Sequence, residues 1–123
     1  MKISELADNT GLTIDTIRFY EKQGLLNSQH VQRQPNAYRV YTKAAIERLR
    51  LIQQAKRLGF TLAEIRREID AWESNVLTQE HKIARLRDKM VLIDGQIQDL
   101  LQMKAYLQEK IERLRENNAI ASR

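Results

Sequence analysis

Apolar residues recur at helical spacing at the start of the chain, alternate briefly near residue 40, then return to helical spacing for most of the remaining length. Ile3, Leu6 and Ala7 mark a first short helix over residues 3–10, with Gly11 as its stop. Residues 13–23 read as a second helix with Thr13 as N-cap. In it Ile14 and Ile17 share one side, and Asp15, Arg18, Tyr20 and Lys22 are expected outside that apolar pair. Gly24 is expected to end it in the left-handed conformation. Ile3, Leu6, Leu12, Ile14 and Ile17 form the expected shared core of a helix–tight turn–helix unit. A second helix with a polar, cationic and aromatic outer face suits the reading element of a helix-turn-helix.

Between Leu25 and Tyr41 the period changes to two. Pro35-Asn36 separates Val31 from the alternating run 38–41, which predicts a two-stranded hairpin. In its second strand Tyr38 and Val40 share one face, Arg39 and Tyr41 the other. A hairpin carrying Arg33 and Arg39 beside a helix-turn-helix suits a wing. The plainer reading is a connector with two packed aromatics, which Tyr-Arg-x-Tyr disfavours.

Thr42 is expected to cap a third helix over residues 43–58, with Ile46, Leu49, Ile52, Ala55 and Leu58 inward and Arg48, Arg50, Lys56 and Arg57 on the remainder. Gly59 ends it, and Phe60 is expected as a buried corner. Thr61 and Glu64 form a capping-box pattern that opens a fourth helix with Leu62, Ile65 and Ile69 inward. Residues 72–78 read as a break.

The rest is long and regular, a predicted helix over residues 79–117. Heptad a positions fall on Ile83, Met90, Ile97, Lys104 and Ile111, and d positions on Leu86, Ile93, Leu100, Leu107 and Leu114. Only Lys104 breaks the apolar seam of a coiled coil. At 1.5 Å per residue this helix would extend roughly 57 Å, too far for a small domain to cover, so it needs a partner helix. Lys104 either fixes register or snorkels at the seam edge. Gly95 falls at an f position, away from the seam. Residues 118–123 read as a frayed, flexible tail.

The fold class is therefore mainly α, with a small β-hairpin. A helix-turn-helix domain over residues 1–72 precedes a coiled-coil helix over 79–117, which needs a partner helix, and a tail over 118–123. Charge sharpens this picture. Residues 1–60 carry 10 Lys/Arg against 5 Asp/Glu, and residues 61–123 carry 11 against 11, so the whole +5 excess lies with the helix-turn-helix. A localised cationic head suggests a polyanion partner.

Cysteine is absent, which excludes disulfides, thiolate metal sites and Cys-ligated clusters. His30 and His81 lie far apart in sequence, and Glu64 and Glu68 read as a solvated face with Arg66 and Arg67, so no metal site is expected. No phosphate-binding Gly loop, metalloprotease motif or nucleophile constellation occurs, and no cofactor or enzymatic activity is expected. No export signal or membrane-length apolar run is visible, which favours the cytoplasm.

Residues 16–21 (Thr-Ile-Arg-Phe-Tyr-Glu), 24–26 (Gly-Leu-Leu), 38–41 (Tyr-Arg-Val-Tyr) and 58–65 (Leu-Gly-Phe-Thr-Leu-x-Glu-Ile) stand in an order that closely resembles the MerR (mercury-resistance regulator) family of bacterial transcription factors. The resemblance covers residues 1–70 by motif and the long helix by architecture. It implies a winged helix-turn-helix and an antiparallel coiled-coil homodimer on a pseudo-palindromic promoter. It also implies activation by bending and untwisting an over-long spacer so that RNA polymerase meets both promoter elements.

Carried over by position, Arg18 and Tyr20 would act from the recognition helix, with Thr13 and Thr16 near its start. Tyr38 and Arg39 would meet phosphates from the wing that also holds Arg33, and Lys56 and Arg57 would approach the backbone from the second helix pair. Two departures stand out. Asn36-Ala37 replaces the family's usual Asn-Gly, which calls for another turn geometry. The cysteines and the loop of the metal-sensing relatives are missing, as is the appended domain of the drug-sensing ones. The alternative is a DNA-tethering protein whose coiled coil binds another protein.

Overall fold

The computed structural model describes residues 1–36 and 38–121. Elements follow in the order α1 (Ile3–Thr10), α2 (Ile14–Lys22), β1 (Val31–Arg33), β2 (Arg39–Tyr41), α3 (Lys43–Arg57), α4 (Leu62–Glu73) and α5 (Gln79–Ala121). They divide into two compact units, the first ending at Ser74 and the second starting at Asn75.

In the first unit, Leu6 of α1 and Ile17 of α2 are fully buried together with Leu25, Ala45, Leu49 and Ile52. Removing a side chain such as Leu or Ile from water contributes about 1.5–3 kcal/mol, so this cluster holds the short helices that could not stand alone. Leu26, Tyr41, Ile65 and Ile69 complete it, with Ile3, Leu12 and Phe60 packed at its margin. Phe60 is thus half-buried, short of the fully buried corner expected of it.

The helix ends follow local chemistry. Thr13 Oγ1 accepts from the Thr16 N–H at 3.1 Å. Gly24 takes φ +79° just past α2, a left-handed conformation that glycine adopts without the strain of a side chain. The Thr61–Glu64 capping box forms in both directions. Thr42 departs from expectation. It sits at the N-cap of α3 without a side-chain cap, because its hydroxyl donates instead to the Gln29 carbonyl at 2.7 Å. Leu58 also departs: it is the C-cap residue of α3 and 53% exposed.

β1 and β2 pair antiparallel, with Val31 opposite Tyr41, Gln32 opposite Val40 and Arg33 opposite Arg39. The Gln34 N–H extends this ladder to the Tyr38 carbonyl at 2.7 Å. The turn geometry expected at Asn36-Ala37 lies outside the described residues. On the other edge of β2, the Tyr41 N–H donates to the Met1 carbonyl at 2.7 Å, which ties the start of the chain to the hairpin.

α4 continues through Trp72 to Glu73, so the break is confined to residues 74–78, where Asn75 has φ 62°. In the second unit, Thr78 Oγ1 accepts from the His81 N–H at the start of α5. α5 then runs 43 residues to Ala121, four past the expected end at Asn117, because neither Gly nor Pro follows Leu114. Residues 118–121 are therefore helical, where a frayed tail was expected. Among the described residues, none of α5 is buried. Ile83, Leu86, Met90, Ile93, Ile97, Leu100, Leu107, Ile111 and Leu114, expected at a seam, are all exposed apolar side chains.

Candidate nucleic-acid interface

α2 presents two faces. Ile17 and Tyr20 point into the core, and Asp15, Arg18, Phe19 and Lys22 are exposed. The exposed four lie at i, i+3, i+4 and i+7, a single stripe along one side of the helix. Tyr20, expected on the outer face, is only 8% exposed. It sits three residues after Ile17 and so falls on the buried side. Phe19, which the sequence reading passed over, takes its place outside at 46% exposure.

Thr13 and Thr16 open this helix and share a hydroxyl–hydroxyl hydrogen bond of 2.8 Å. Part of their hydrogen-bonding capacity is thereby committed to the helix start. Arg18 is exposed and forms no ion pair among the described residues.

The hairpin is fastened to α2 through Glu21. Its Oε2 accepts from Arg39 Nη1 at 3.0 Å and from the Tyr41 hydroxyl at 3.0 Å. The alternation expected for β2 explains this, because Arg39 and Tyr41 fall on one face and both reach the same carboxylate. Arg39 is therefore an ion-pair partner as well as a surface cation. Burial pushes the Tyr41 phenol above its usual pKa, and the adjacent Glu21 carboxylate pushes it further. Arg33 is exposed, and Tyr38 is exposed just before β2, at 70%.

Lys56 and Arg57 are exposed on the last turn of α3. One turn earlier, Gln53 Nε2 donates to the Thr10 carbonyl at 2.8 Å, which ties α3 to the turn leading into α2. Lys56 and Arg57 follow Gln53 at i+3 and i+4, so they share its side of the helix.

Two further residues shape the interface from beneath. Arg48, expected on the polar side of α3, is 2% exposed. Its Nε donates to the Leu25 carbonyl at 2.8 Å, Nη2 pairs with Asp70 at 2.7 Å and Nη1 with Glu73 at 3.0 Å. The fork of five donors lets one side chain join three segments. His30 is 2% exposed, and its Nδ1 accepts from the Asn27 N–H at 3.0 Å, which fixes the loop between α2 and β1. Burial holds the imidazole below its usual pKa and the Arg48 guanidinium adds to this, against Glu73 and Asp70. Arg48 stands four positions before the buried Ile52, but a charged residue inside a helix gives no sequence sign of such a role. Acidic residues spaced i, i+3 in α4 are the one faint signal.

Among the described residues, no group of three or more His, Cys, Asp or Glu could hold a metal ion. No described helix is long and apolar enough to cross a membrane.

Comparison with known proteins bears on what this surface meets. The family model for MerR HTH family regulatory proteins matches residues 1–72, and that for the MerR DNA-binding region matches residues 46–117. The mercuric resistance operon regulatory protein of Bacillus cereus is 35% identical over 97% of this chain and 89% of its own length. The transcription regulator PbrR691 from Ralstonia metallidurans CH34, solved in complex with lead(II), has TM-score 0.79 and 25% identity, covering 89% of this chain and 84% of that one. HiNmlR, a MerR family regulator lacking the sensor domain and solved bound to promoter DNA, has TM-score 0.61 and 28% identity, covering 88% of this chain and 78% of that one.

Proposed function

Because the chain belongs to the MerR family of DNA-binding transcriptional regulators, a family of regulators and not of enzymes, we propose that it acts as a homodimer on a promoter pseudo-palindrome. In this reading Arg18 enters the major groove, Tyr38 and Arg33 reach phosphates from the hairpin, and Lys56 and Arg57 reach them from α3. Thr13 and Thr16 flank the groove, and Arg39 divides its charge between Glu21 and the backbone. Tyr20 is assigned to the core and not to DNA. The observation that carries this reading is the single exposed stripe on α2, with Arg18 and Lys22 projecting from a helix whose other face is locked in the core.

The exposed seam of α5 supports an antiparallel pairing with a second copy, through Ile83, Leu86, Met90, Ile93, Ile97, Leu100, Lys104, Leu107, Ile111 and Leu114. Two heads held at a fixed separation would bend and untwist the intervening DNA, converting binding energy into a promoter geometry that RNA polymerase can use. DNA as the ligand puts the protein in the cytoplasm. With no cysteine in its 123 residues, a thiolate-bound metal is not the signal this segment reads. The tethering alternative is not favoured, since the relatives are transcriptional regulators.

Arg18→Ala tests the assignment: specific binding should weaken by about 1–3 kcal/mol with specificity relaxed at the base pair it reads, and sedimentation should still show a dimer. An unchanged footprint and affinity would remove Arg18 from the interface.

A further inference from the structure

The outer stripe of α2 holds one residue that electrostatics does not explain. Phe19 lies between Arg18 and Lys22 at 46% exposure, on a helix otherwise divided cleanly into a core face and a polar face. Its ring sits 6.1 Å from the ring of Tyr20 at a 48° tilt, within the range of a favourable aromatic pair, and Tyr20 is itself fixed in the core.

We propose that Phe19 is a specificity-determining residue that contacts the C5-methyl group of thymine in the major groove. This rests on the DNA-binding reading given above and adds what that helix selects. Phenylalanine has no atom that can donate to or accept from a phosphate or a base edge. Pressed against phosphates it would strip water from charged oxygens and return nothing. On the major-groove edge of the base pairs, the apolar group is the thymine methyl, and Phe is among the side chains suited to it. Arg18 and Lys22, on either side, supply the attraction that brings the stripe to the groove. Phe19 then distinguishes thymine from cytosine without altering the charge count.

This separates its signature from that of its neighbours. A residue that neutralises a phosphate changes the salt dependence of binding. A residue that covers a methyl group changes affinity only where that methyl is present, by about fourfold for one buried methylene-sized group.

The test uses the full chain and a duplex that it selects from a randomised DNA pool. Each thymine of that duplex is replaced in turn by deoxyuridine, which removes only the C5-methyl. The wild type should bind about fourfold more weakly at one or more thymine positions. Phe19→Ala should bind the thymine and deoxyuridine duplexes alike at those positions, with the wild-type salt slope and helical circular dichroism retained. If no thymine responds, or if the response persists undiminished in Phe19→Ala, the inference is overturned. If the wild type selects no duplex at all, the DNA-binding reading itself fails and this inference falls with it.

Discussion

Arg48 Nε donates to the Leu25 carbonyl oxygen at 2.8 Å, so a guanidinium anchored in α3 holds the residue that follows Gly24 just past α2. Replacing it with methionine keeps most of the volume and leaves a buried carbonyl without its donor. We expect Arg48→Met to cost about 1–3 kcal/mol in urea unfolding. Asp70→Asn should cost no more than about 1 kcal/mol, because the Asp70 side chain is 75% exposed and its pairing is screened by water. Equal losses in the two variants would show that the ion pair, and not the carbonyl contact, is the stronger tie.

Glu21 joins the hairpin to α2 through two donors. In Glu21→Gln the Tyr41 phenol should titrate at a lower pH than in the wild type, as followed by ultraviolet absorbance. It should stay above the usual phenol value, because burial is the larger cause of its shift. A phenol titrating as in the wild type would remove the Glu21 contact.

His30 gives stability a dependence on mild acid. Its folded pKa is lowered, so below about pH 6.5 the unfolded chain takes up a proton that the folded chain resists. The contribution is complete above that value and declines as the pH falls beneath it. His30→Asn keeps an acceptor near the Asn27 N–H and does not titrate. Urea midpoints at pH 7.5 and 5.5 should therefore differ less in the variant than in the wild type.

On α5, Ile97→Asp places a charge near the middle of the seam. Analytical ultracentrifugation at micromolar concentration should show the wild type as a dimer and this variant as a monomer. A variant that stays dimeric would move the interface off the a and d positions.

Gly95 supplies a test in the opposite direction. A Cβ built there meets nothing within 4 Å, and the residue lies inside a helix. Gly95→Ala should stabilise by up to about 1 kcal/mol, read as a rise in the thermal midpoint. A fall would mean that a second chain approaches this face.

The division between legible and hidden features follows the range of the interactions. Caps such as Thr13 and the Thr61–Glu64 box act within three residues, so spacing alone exposes them. The same holds for the α5 helix, where a long run of apolar residues at helical spacing without Pro is the signal. Tyr20 and Phe19 are adjacent aromatics, and composition does not say which one turns inward. The phase set by Ile17 decides, and it places Tyr20 three residues on, inside. Arg48 could not be read because its partners lie 22 to 25 residues away, and charge usually marks a surface. The resemblance assigns Arg39 to phosphate, and spacing gives no sign that Glu21, eighteen positions earlier, also pairs with it.

α5 is 43 residues long with nothing buried among those described, and this has a consequence for dosage. If its apolar seam is covered only by a second copy, the ordered population of that helix follows mass action. A cell making few copies would hold mostly single chains with one DNA-reading head each, and such heads would bind a two-part target far more weakly than the pair. Occupancy of the promoter would then rise more steeply than in proportion to the protein made. Expression level would act as an input to the switch without any small molecule being bound.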